Sequence, residues 1–290
     1  MTPSMLIMVR WAQFLAILYK EKPMKKLPVN QFKKNLYSKK AQYGLWMGLP
    51  DSTCAEISAG AGFDWLLIDA EHAPYDLRGV QSHLQAIAPY DVSVLVRPAE
   101  GSTASIKQLL DIGAQTLLIP MVNSAEQAEQ LVRDCLYPPQ GIRGLGTSMA
   151  RAAHWNGIPN YLKEANKEIC LIVQVETQQA IDNLEEIVAV EGVHGVFIGP
   201  SDLSASMGYI GQPDHPKVID TVEHAIATIL KAGKAAGVLA VDEKLAKAYS
   251  QKGANFIGVG VDASLLAASV RNLAAQFCSD KTRQEVIAGY

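Results

Sequence analysis

The chain has few cysteines and little excess charge. Four of its 290 residues are cysteine (Cys54, Cys135, Cys170 and Cys278). They are scattered, without the close spacing of zinc sites or disulfide scaffolds, which favours reduced thiols in a cytoplasmic protein. The net charge of −3 gives no electrostatic basis for binding nucleic acid. We therefore expect a cytoplasmic protein whose partners are small molecules.

No hydrophobic run is long enough to span a bilayer comfortably. The most apolar stretch, Met5 to Tyr19, is short, is interrupted by Arg10 and is followed by no small-residue cleavage site. An ordinary cytosolic start begins at Met24. We expect no membrane association, and we interpret residues 1–23 as an upstream extension of little functional weight.

Apolar runs alternate with amphipathic segments through the rest of the chain, with no flexible linker and no sequence repeat. This rhythm predicts a parallel sheet, and eight units over about 250 residues favour a closed (β/α)8 TIM barrel over an open doubly wound sheet. No G-x-G-x-x-G follows the first strand, which argues against a dinucleotide fold. We expect residues 1–40 to form an extension and lead-in helix, and residues 41–290 a single barrel with a C-terminal helix. The predicted strands are 44–48, 63–70, 92–96, 116–119, 170–175, 195–198, 236–241 and 255–259.

Predicted helices cover 31–40, 51–60, 77–88, 105–112, 125–135, 180–188, 218–232, 243–252 and 264–277. The glycine- and arginine-rich segment 137–155 interrupts the pattern. Irregular segments of this length in a compact domain usually serve a function or an interface.

Two strands each lead to a carboxylate. Glu176 follows strand five and Asp202 follows strand six, one strand–helix–strand unit later. Because the carboxyl ends of parallel strands meet at one rim, both acids should face the same spot, where they could hold a divalent cation. Other polar or aromatic side chains are predicted at this rim: Trp46, Asp69, Glu71, His72, Arg97, Gln174 and Ser201.

Each of these residues also has a purely structural interpretation. Glu176 could be an acid at a helix N-terminus, and Asp202 a helix cap. Arg97 could belong to a structural ion pair, His72 to a turn, and Trp46 to the core. Asp69 could simply support its strand. The functional interpretation depends on their coincidence at one rim.

Oxygen ligands favour a hard cation such as Mg²⁺ or Mn²⁺, with Co²⁺ or Zn²⁺ as alternatives. A 2-oxo acid could chelate this cation, which would act as a Lewis acid and stabilise an enolate. Arg97 could balance the developing charge, and His72 could move a proton. A Schiff-base mechanism would need a lysine in the barrel mouth, and the predicted strands contain none. The residues therefore favour metal-dependent carbon–carbon bond chemistry beside a 2-oxo acid.

Several segments carry a family resemblance. The chain resembles the HpcH/HpaI-type class II pyruvate aldolases in a dense match from Gly44 to Phe277. The strings that carry it include GLWMGL, AGFDWLLIDAEHAP, IKQLLDIGAQTLLIPMV, YPPQGIRGLG, VQVET and EGVHGVFIGPSDLSASMGY.

The resemblance implies a role for each matching position. Glu176 and Asp202 match metal ligands, His72 the acid/base, and Arg97 the transition-state stabiliser. Gln174, Ser201 and Asp202 match substrate contacts, and we add Trp46 as a substrate wall. Asp111, at the far rim of its own barrel, matches an aspartate that raises histidine basicity from a neighbouring subunit, which implies a homohexamer. Two positions depart from the family pattern: Ala70 replaces a common glycine and Ser201 a frequent alanine.

The expected reaction is the reversible cleavage of 4-hydroxy-2-oxoheptanedioate to pyruvate and succinate semialdehyde, in aromatic hydrocarbon catabolism. One alternative is a 2-keto-3-deoxy-L-rhamnonate aldolase or another sugar-acid aldolase. An alternative of a different class is a non-catalytic barrel that binds a metal or an organic acid.

Overall fold

Eight parallel strands, each paired with the next along the chain, close into a barrel in the computed structural model, which describes residues 26–38 and 40–278. The last strand pairs with the first, so no strand edge is left open. The predicted (β/α)8 TIM barrel is confirmed. The strands are β1 (Gln42–Met47), β2 (Trp65–Asp69), β3 (Ser93–Arg97), β4 (Thr116–Ile119), β5 (Cys170–Val175), β6 (Gly195–Ile198), β7 (Ala235–Leu239) and β8 (Phe256–Val261).

The helices surround this barrel. They are α1 (Gln31–Asn35), α2 (Ser52–Ala59), α3 (Leu77–Ile87), α4 (Thr103–Asp111), α5 (Ala125–Cys135), α6 (Tyr161–Glu168), α7 (Gln178–Asp182), α8 (Leu184–Ala189), α9 (Pro200–Ser206), α10 (Pro216–Lys231), α11 (Glu243–Gln251) and α12 (Asp262–Phe277). Among the described residues, none of these helices is both long and apolar enough to cross a membrane.

Most predicted elements agree with the structure to within a few residues, but two helices were missed. The helix α6 follows the irregular insert, and α9 starts at Pro200, directly after β6. Proline at the first helical position is a helix-start signal. The helix begins there, before Asp202, which therefore lies in its first turn and is not its N-cap. The predicted helix 180–188 is two short helices that meet at Asn183.

Aromatic rings fill the barrel interior. Trp46, Trp65, Phe197 and Phe256 contact one another with ring centroids 5.2–6.3 Å apart. The backbone makes room for them at Gly44, where an added Cβ would lie 2.1 Å from the Trp65 ring. Because these rings occupy the interior, the barrel is a packed core with no channel.

The helix α1 closes the amino-terminal end of the barrel. Its Phe32 is fully buried against Trp65 and Phe256. Asn30 caps α1 and donates through its side chain to Thr116 Oγ1 at 2.9 Å. The helix is shorter than the predicted 31–40, and the predicted extension 1–23 lies outside the described residues. The helix therefore covers the barrel interior at this end. In parallel barrels the functional residues lie at the carboxyl ends of the strands, and we expect the site at that rim.

Candidate active site

A buried arginine and aspartate form the centre of this rim. Arg97, the last residue of β3, donates from Nε to Asp69 Oδ1 at 2.9 Å and from Nη2 to Asp69 Oδ2 at 2.6 Å. Burial opposes the charge of Arg97, but the hydrogen bonds and charge of Asp69 and the charge of Glu71 raise its pKa on balance. The arginine therefore stays cationic and has a fixed orientation.

The third guanidinium nitrogen points toward other polar groups. Arg97 Nη1 lies 2.9 Å from Glu71 Oε2 and donates to Gln174 Oε1 at 3.4 Å. Burial raises the pKa of Glu71, and the charges of Asp69 and Asp202 add to this while Arg97 opposes it. Nη1 is thus the guanidinium donor that Asp69 does not hold.

His72 lies at the outer edge of the cluster. Its side chain is 67% exposed, and its Nε2 is 3.9 Å from Glu71 Oε2. Neither ring nitrogen makes a hydrogen bond to any residue that the structure describes. The imidazole is therefore accessible to a ligand or to another chain.

Glu176 lies directly after β5 and is 2% exposed. Its Oε1 accepts from Met121 N at 2.9 Å, and its Oε2 accepts from Gln174 Nε2. Burial raises the pKa of Glu176 to about 7, and the nearby charges of Asp202 and Glu71 contribute. Gly199 leaves the space for this carboxylate, because a Cβ there would lie 2.6 Å from Glu176 Oε2.

Ser201 and Asp202 lie in the first turn of α9, after β6. Ser201 is partly buried, and its carbonyl accepts from Ser204 Oγ at 2.7 Å. Asp202 is exposed, and its charge acts on both Glu71 and Glu176. Asp202 therefore lies near enough to both glutamates for its charge to act on them, and a cation shared by Glu176 and Asp202 stays a prediction.

Trp46 lies beneath the cluster. It is 4% exposed, and the Arg97 guanidinium carbon is 5.4 Å from the centre of its ring. The ring forms the floor under Arg97 and leaves little surface for a substrate. The core interpretation weighed for this residue therefore agrees better with the geometry than a substrate wall does.

Asp111 is not part of this cluster within one chain. It ends α4, which runs back from the carboxyl rim to the amino-terminal face, so it lies at the opposite end of the barrel from His72. Its Oδ1 accepts from Arg143 Nη2 at 2.7 Å.

Three features of the rim escaped the sequence analysis. They are the Met121 N–H, the space at Gly199, and Asp262, whose Oδ1 accepts from Gly48 N at 2.7 Å and ties β8 to the loop after β1. A backbone N–H donor such as that of Met121 cannot be recognised from residue type, because every residue except proline has one. Asp262 does follow a strand, and its position could have indicated it.

The donor set fits a hard divalent cation. No three His, Cys, Asp or Glu side chains within residues 26–38 and 40–278 form a ready-made ligand cluster. Glu176 and Asp202 instead offer carboxylate oxygens after two adjacent strands. A nearby cation would offset the burial of Glu176 and its repulsion from Asp202 and Glu71, which together raise its pKa. Two carboxylates with open positions are typical of Mg²⁺ sites that also bind a substrate.

A closed parallel barrel with a buried arginine and several carboxylates at its carboxyl rim is an arrangement typical of (β/α)8-barrel enzymes. A family model described as HpcH/HpaI aldolase/citrate lyase matches residues 42–269. The chain therefore belongs to this family, as the resemblance predicted. It is a carbon–carbon lyase, so the non-catalytic alternative is set aside.

Curated and solved relatives agree with this assignment. The chain is 58% identical over 251 residues to a hydroxypyruvate/pyruvate aldolase of Pseudomonas aeruginosa, covering 87% of this chain and 94% of that protein. It is 54% identical over 253 residues to a 4-hydroxy-2-oxo-heptane-1,7-dioate aldolase of Escherichia coli, covering 87% and 97%. A crystal structure of a family member from Burkholderia cenocepacia matches with a TM-score of 0.82 at 37% identity, covering 86% and 99%.

Proposed function

We propose that the protein is a metal-dependent aldolase that cleaves 4-hydroxy-2-oxoheptanedioate to pyruvate and succinate semialdehyde, and catalyses the reverse condensation. The observation that carries this proposal is the Arg97 guanidinium, fixed by Asp69 with Nη1 directed toward Gln174, beside two converging carboxylates. The 54% identical relative bears the name of this activity. No strand of the barrel contains a lysine, which speaks against a Schiff base.

Glu176 and Asp202 would hold a divalent cation of the Mg²⁺ or Mn²⁺ type, which supplies Lewis-acid polarisation of the 2-oxo group when bound. Arg97 donates from Nη1 to the substrate oxygen on which negative charge develops. Gln174 is held between Arg97 and Glu176 and orients the oxo acid. Ser201 lies at the start of α9, where its backbone can contact the substrate carboxylate.

His72 moves the proton. In cleavage its imidazole accepts the proton of the 4-hydroxyl group while the C3–C4 bond breaks and its electrons pass to the C2 oxygen. An aldehyde leaves, and protonation of the resulting enolate at C3 gives pyruvate. The exposure of His72 suits a group that must reach an incoming substrate.

One observation favours a second 2-oxo acid as the substrate that condenses with the aldehyde, here called the donor. The 58% identical relatives from Pseudomonas aeruginosa and Deinococcus radiodurans are named hydroxypyruvate/pyruvate aldolases. Hydroxypyruvate has the same carboxylate and 2-oxo groups, so the same residues could bind it. We propose it as the alternative donor, with glycolaldehyde, lactaldehyde and succinate semialdehyde as acceptors to compare.

We also propose that the protein is a homo-oligomer, with a hexamer as the expected size. In α12 the apolar side chains of Leu266, Val270, Leu273 and Phe277 form one stripe, and each is more than half exposed. Asp262 is the only buried residue of this helix. A stripe of this kind on a 16-residue helix is typical of an interface. An assembly would also bring Asp111 of one copy to His72 of another.

The decisive experiment measures pyruvate release from 4-hydroxy-2-oxoheptanedioate before and after removal of metal with a chelator. We expect activity to disappear and to return with Mn²⁺ or Mg²⁺. The variant Glu176→Gln should lose both activity and the Mn²⁺-induced rise in thermal stability, whereas Glu186→Gln, on the exposed face of α8, should behave as the parent. Full turnover in the chelated protein would refute the metal mechanism.

The donor is tested separately. Condensation rates with pyruvate and with hydroxypyruvate, each paired with the three acceptors, give a kcat/KM for every combination. We expect pyruvate with succinate semialdehyde to give the highest value. A higher value for hydroxypyruvate would select the alternative donor, and a preference for lactaldehyde would select the sugar-acid aldolase.

A further inference from the structure

The most completely buried charge in the described part of the chain lies outside the rim. The Arg143 side chain is 0% exposed, yet its partner Asp111 is 26% exposed, with Nη2 and Oδ1 2.7 Å apart. A desolvated cation thus holds a carboxylate that remains accessible at the surface.

The irregular insert 137–155 carries Arg143 inward. Two backbone hydrogen bonds hold the insert against the end of α5. Ile142 N donates to Arg133 O in α5 at 2.8 Å, and Arg143 N donates to Leu136 O, directly after α5, at 2.9 Å. The guanidinium then lies over the Tyr137 ring, 4.4 Å from its centre. These contacts leave Arg143 little freedom to move.

Stability alone accounts poorly for this arrangement. Arg143 Nε and Nη1 and the Tyr137 hydroxyl are buried without a well-aligned hydrogen bond among the described residues, although the Tyr161 hydroxyl also lies close enough to act on the guanidinium. A buried ion pair with unsatisfied donors gains little over an apolar substitute, since desolvation offsets the attraction. What the arrangement does achieve is a fixed orientation of the Asp111 carboxylate.

The other oxygen of that carboxylate is available. Asp111 Oδ2 accepts no hydrogen bond within residues 26–38 and 40–278. His72 lies at the opposite end of the barrel and offers the complementary feature. Its ring is exposed, and neither ring nitrogen makes a hydrogen bond to a residue that the structure describes. The two groups cannot meet within one chain, so a contact between them requires two copies.

We propose that Arg143 is a positioning residue: its buried guanidinium fixes Asp111 so that the free oxygen can meet His72 of a neighbouring copy. This inference rests on the proposed function, in which Asp111 acts on the histidine of another subunit. The insert would then contribute to catalysis without touching the substrate.

The test compares Asp111→Asn, Arg143→Met and the double variant by kcat, by KM for pyruvate and by the pH profile of kcat/KM. We expect each single variant to lose at least tenfold in kcat with little change in KM. The acidic limb of the pH profile should shift by the same amount in both. The double variant should be no worse than either single variant, because the two residues act as one unit.

A matched control is available in the same insert. Arg151 donates to the backbone carbonyls of Ile112 at 2.9 Å and Leu84 at 3.4 Å, and it pairs with no carboxylate in the part of the chain that the structure describes. Arg151→Met should lower thermal stability and leave the pH profile unchanged. Should Arg143→Met fail to fold, Arg143→Lys keeps the charge but shortens the reach, and the same pH shift is expected.

The outcomes separate the two claims. If Asp111→Asn is as active as the parent, the proposed role of Asp111 fails and this inference fails with it. If Asp111→Asn loses activity but the Arg143 variants do not, or if the losses simply add, only the inference is overturned. An equal pH shift in Arg151→Met would assign the effect to the insert as a whole and would also overturn it.

Discussion

Arg97 and Asp69, the last residues of β3 and β2, face each other in the barrel register and form two hydrogen bonds of 2.9 and 2.6 Å. The side chains of both residues are 7% exposed. This pairing leaves Nη1 as the donor directed at Glu71 and Gln174. Asp69 therefore determines which face of the guanidinium is offered to a substrate.

Asp69→Asn should disorient Arg97. The amide retains one acceptor but places an N–H₂ group against the guanidinium. The buried charge then keeps Glu71 as a close counter-ion but loses the partner that fixes its orientation. We expect kcat/KM to fall about 10²-fold and stability to drop by about 3 kcal/mol. Steady-state kinetics and urea denaturation measure the two effects. Asp64→Asn is the control, since Asp64 directly precedes the other end of the same strand and accepts from Tyr43 N. Equal losses in both variants would contradict the assignment.

Gly199→Ala should damage the proposed cation site without strain in the backbone. Gly199 has φ −97° and ψ 92°, which alanine adopts readily. Its Cβ, however, would lie 2.6 Å from Glu176 Oε2 and 3.1 Å from Gln174 Nε2. We expect Mn²⁺ affinity to fall about 10- to 100-fold, measured by titration calorimetry. Gly60→Ala is the control, because its nearest neighbour would be 3.6 Å away. Parental affinity in Gly199→Ala would rule out this role.

The strand ends could be predicted from the sequence because an apolar strand is followed there by the polar residues of the rim. A run such as Cys170–Val175, which is apolar on both faces except at Gln174, is typical of a buried parallel strand. The acid that follows such a strand emerges at the rim. The same logic places Arg97 and Asp69 correctly. It also explains why eight strands could be counted, since each is bounded by polar or turn residues.

Other features depend on contacts between distant residues and could not be predicted in this way. Trp46 occupies a strand end but points into the aromatic interior, because Gly44 and its neighbours admit large rings there. Arg143 lies in an irregular segment, where no periodicity indicates burial. The break at Asn183 follows from packing of two short helices, which the amphipathic pattern of 180–188 does not reveal.

His194 should make the protein sensitive to acid. Burial, together with the charges of Lys33 and Lys234, lowers its pKa from an ordinary 6.5 to about 4. The unfolded chain therefore binds a proton at this residue below pH 6.5, while the folded chain does so only near pH 4. The stability that neutral His194 provides is complete above about pH 6.5 and declines by up to about 3 kcal/mol as the pH falls to 4.

This dependence can be measured by urea denaturation at several pH values between 7 and 4. His194 Nδ1 accepts from Leu171 N at 3.2 Å, and asparagine can keep that acceptor. His194→Asn should thus lose less stability on acidification than the parent. His224→Asn, at an exposed position of α10, should follow the parental curve. Identical slopes for His194→Asn and the parent would contradict the prediction.

The apolar stripe of α12 should hold the assembly together. Leu266 and Leu273 are 52% and 57% exposed, so glutamate at both positions would cost the isolated barrel little but would place charges in an apolar interface. We expect Leu266→Glu with Leu273→Glu to yield smaller species by light scattering after size-exclusion chromatography. Activity should fall at the same time, because Asp111 would no longer reach a neighbour. Ala268→Glu with Ala275→Glu, on the opposite side of the helix, should keep the parental size.

A double leucine variant with unchanged mass would show that the stripe does not mediate assembly. Full activity in a dissociated variant would show that the site is complete within one chain.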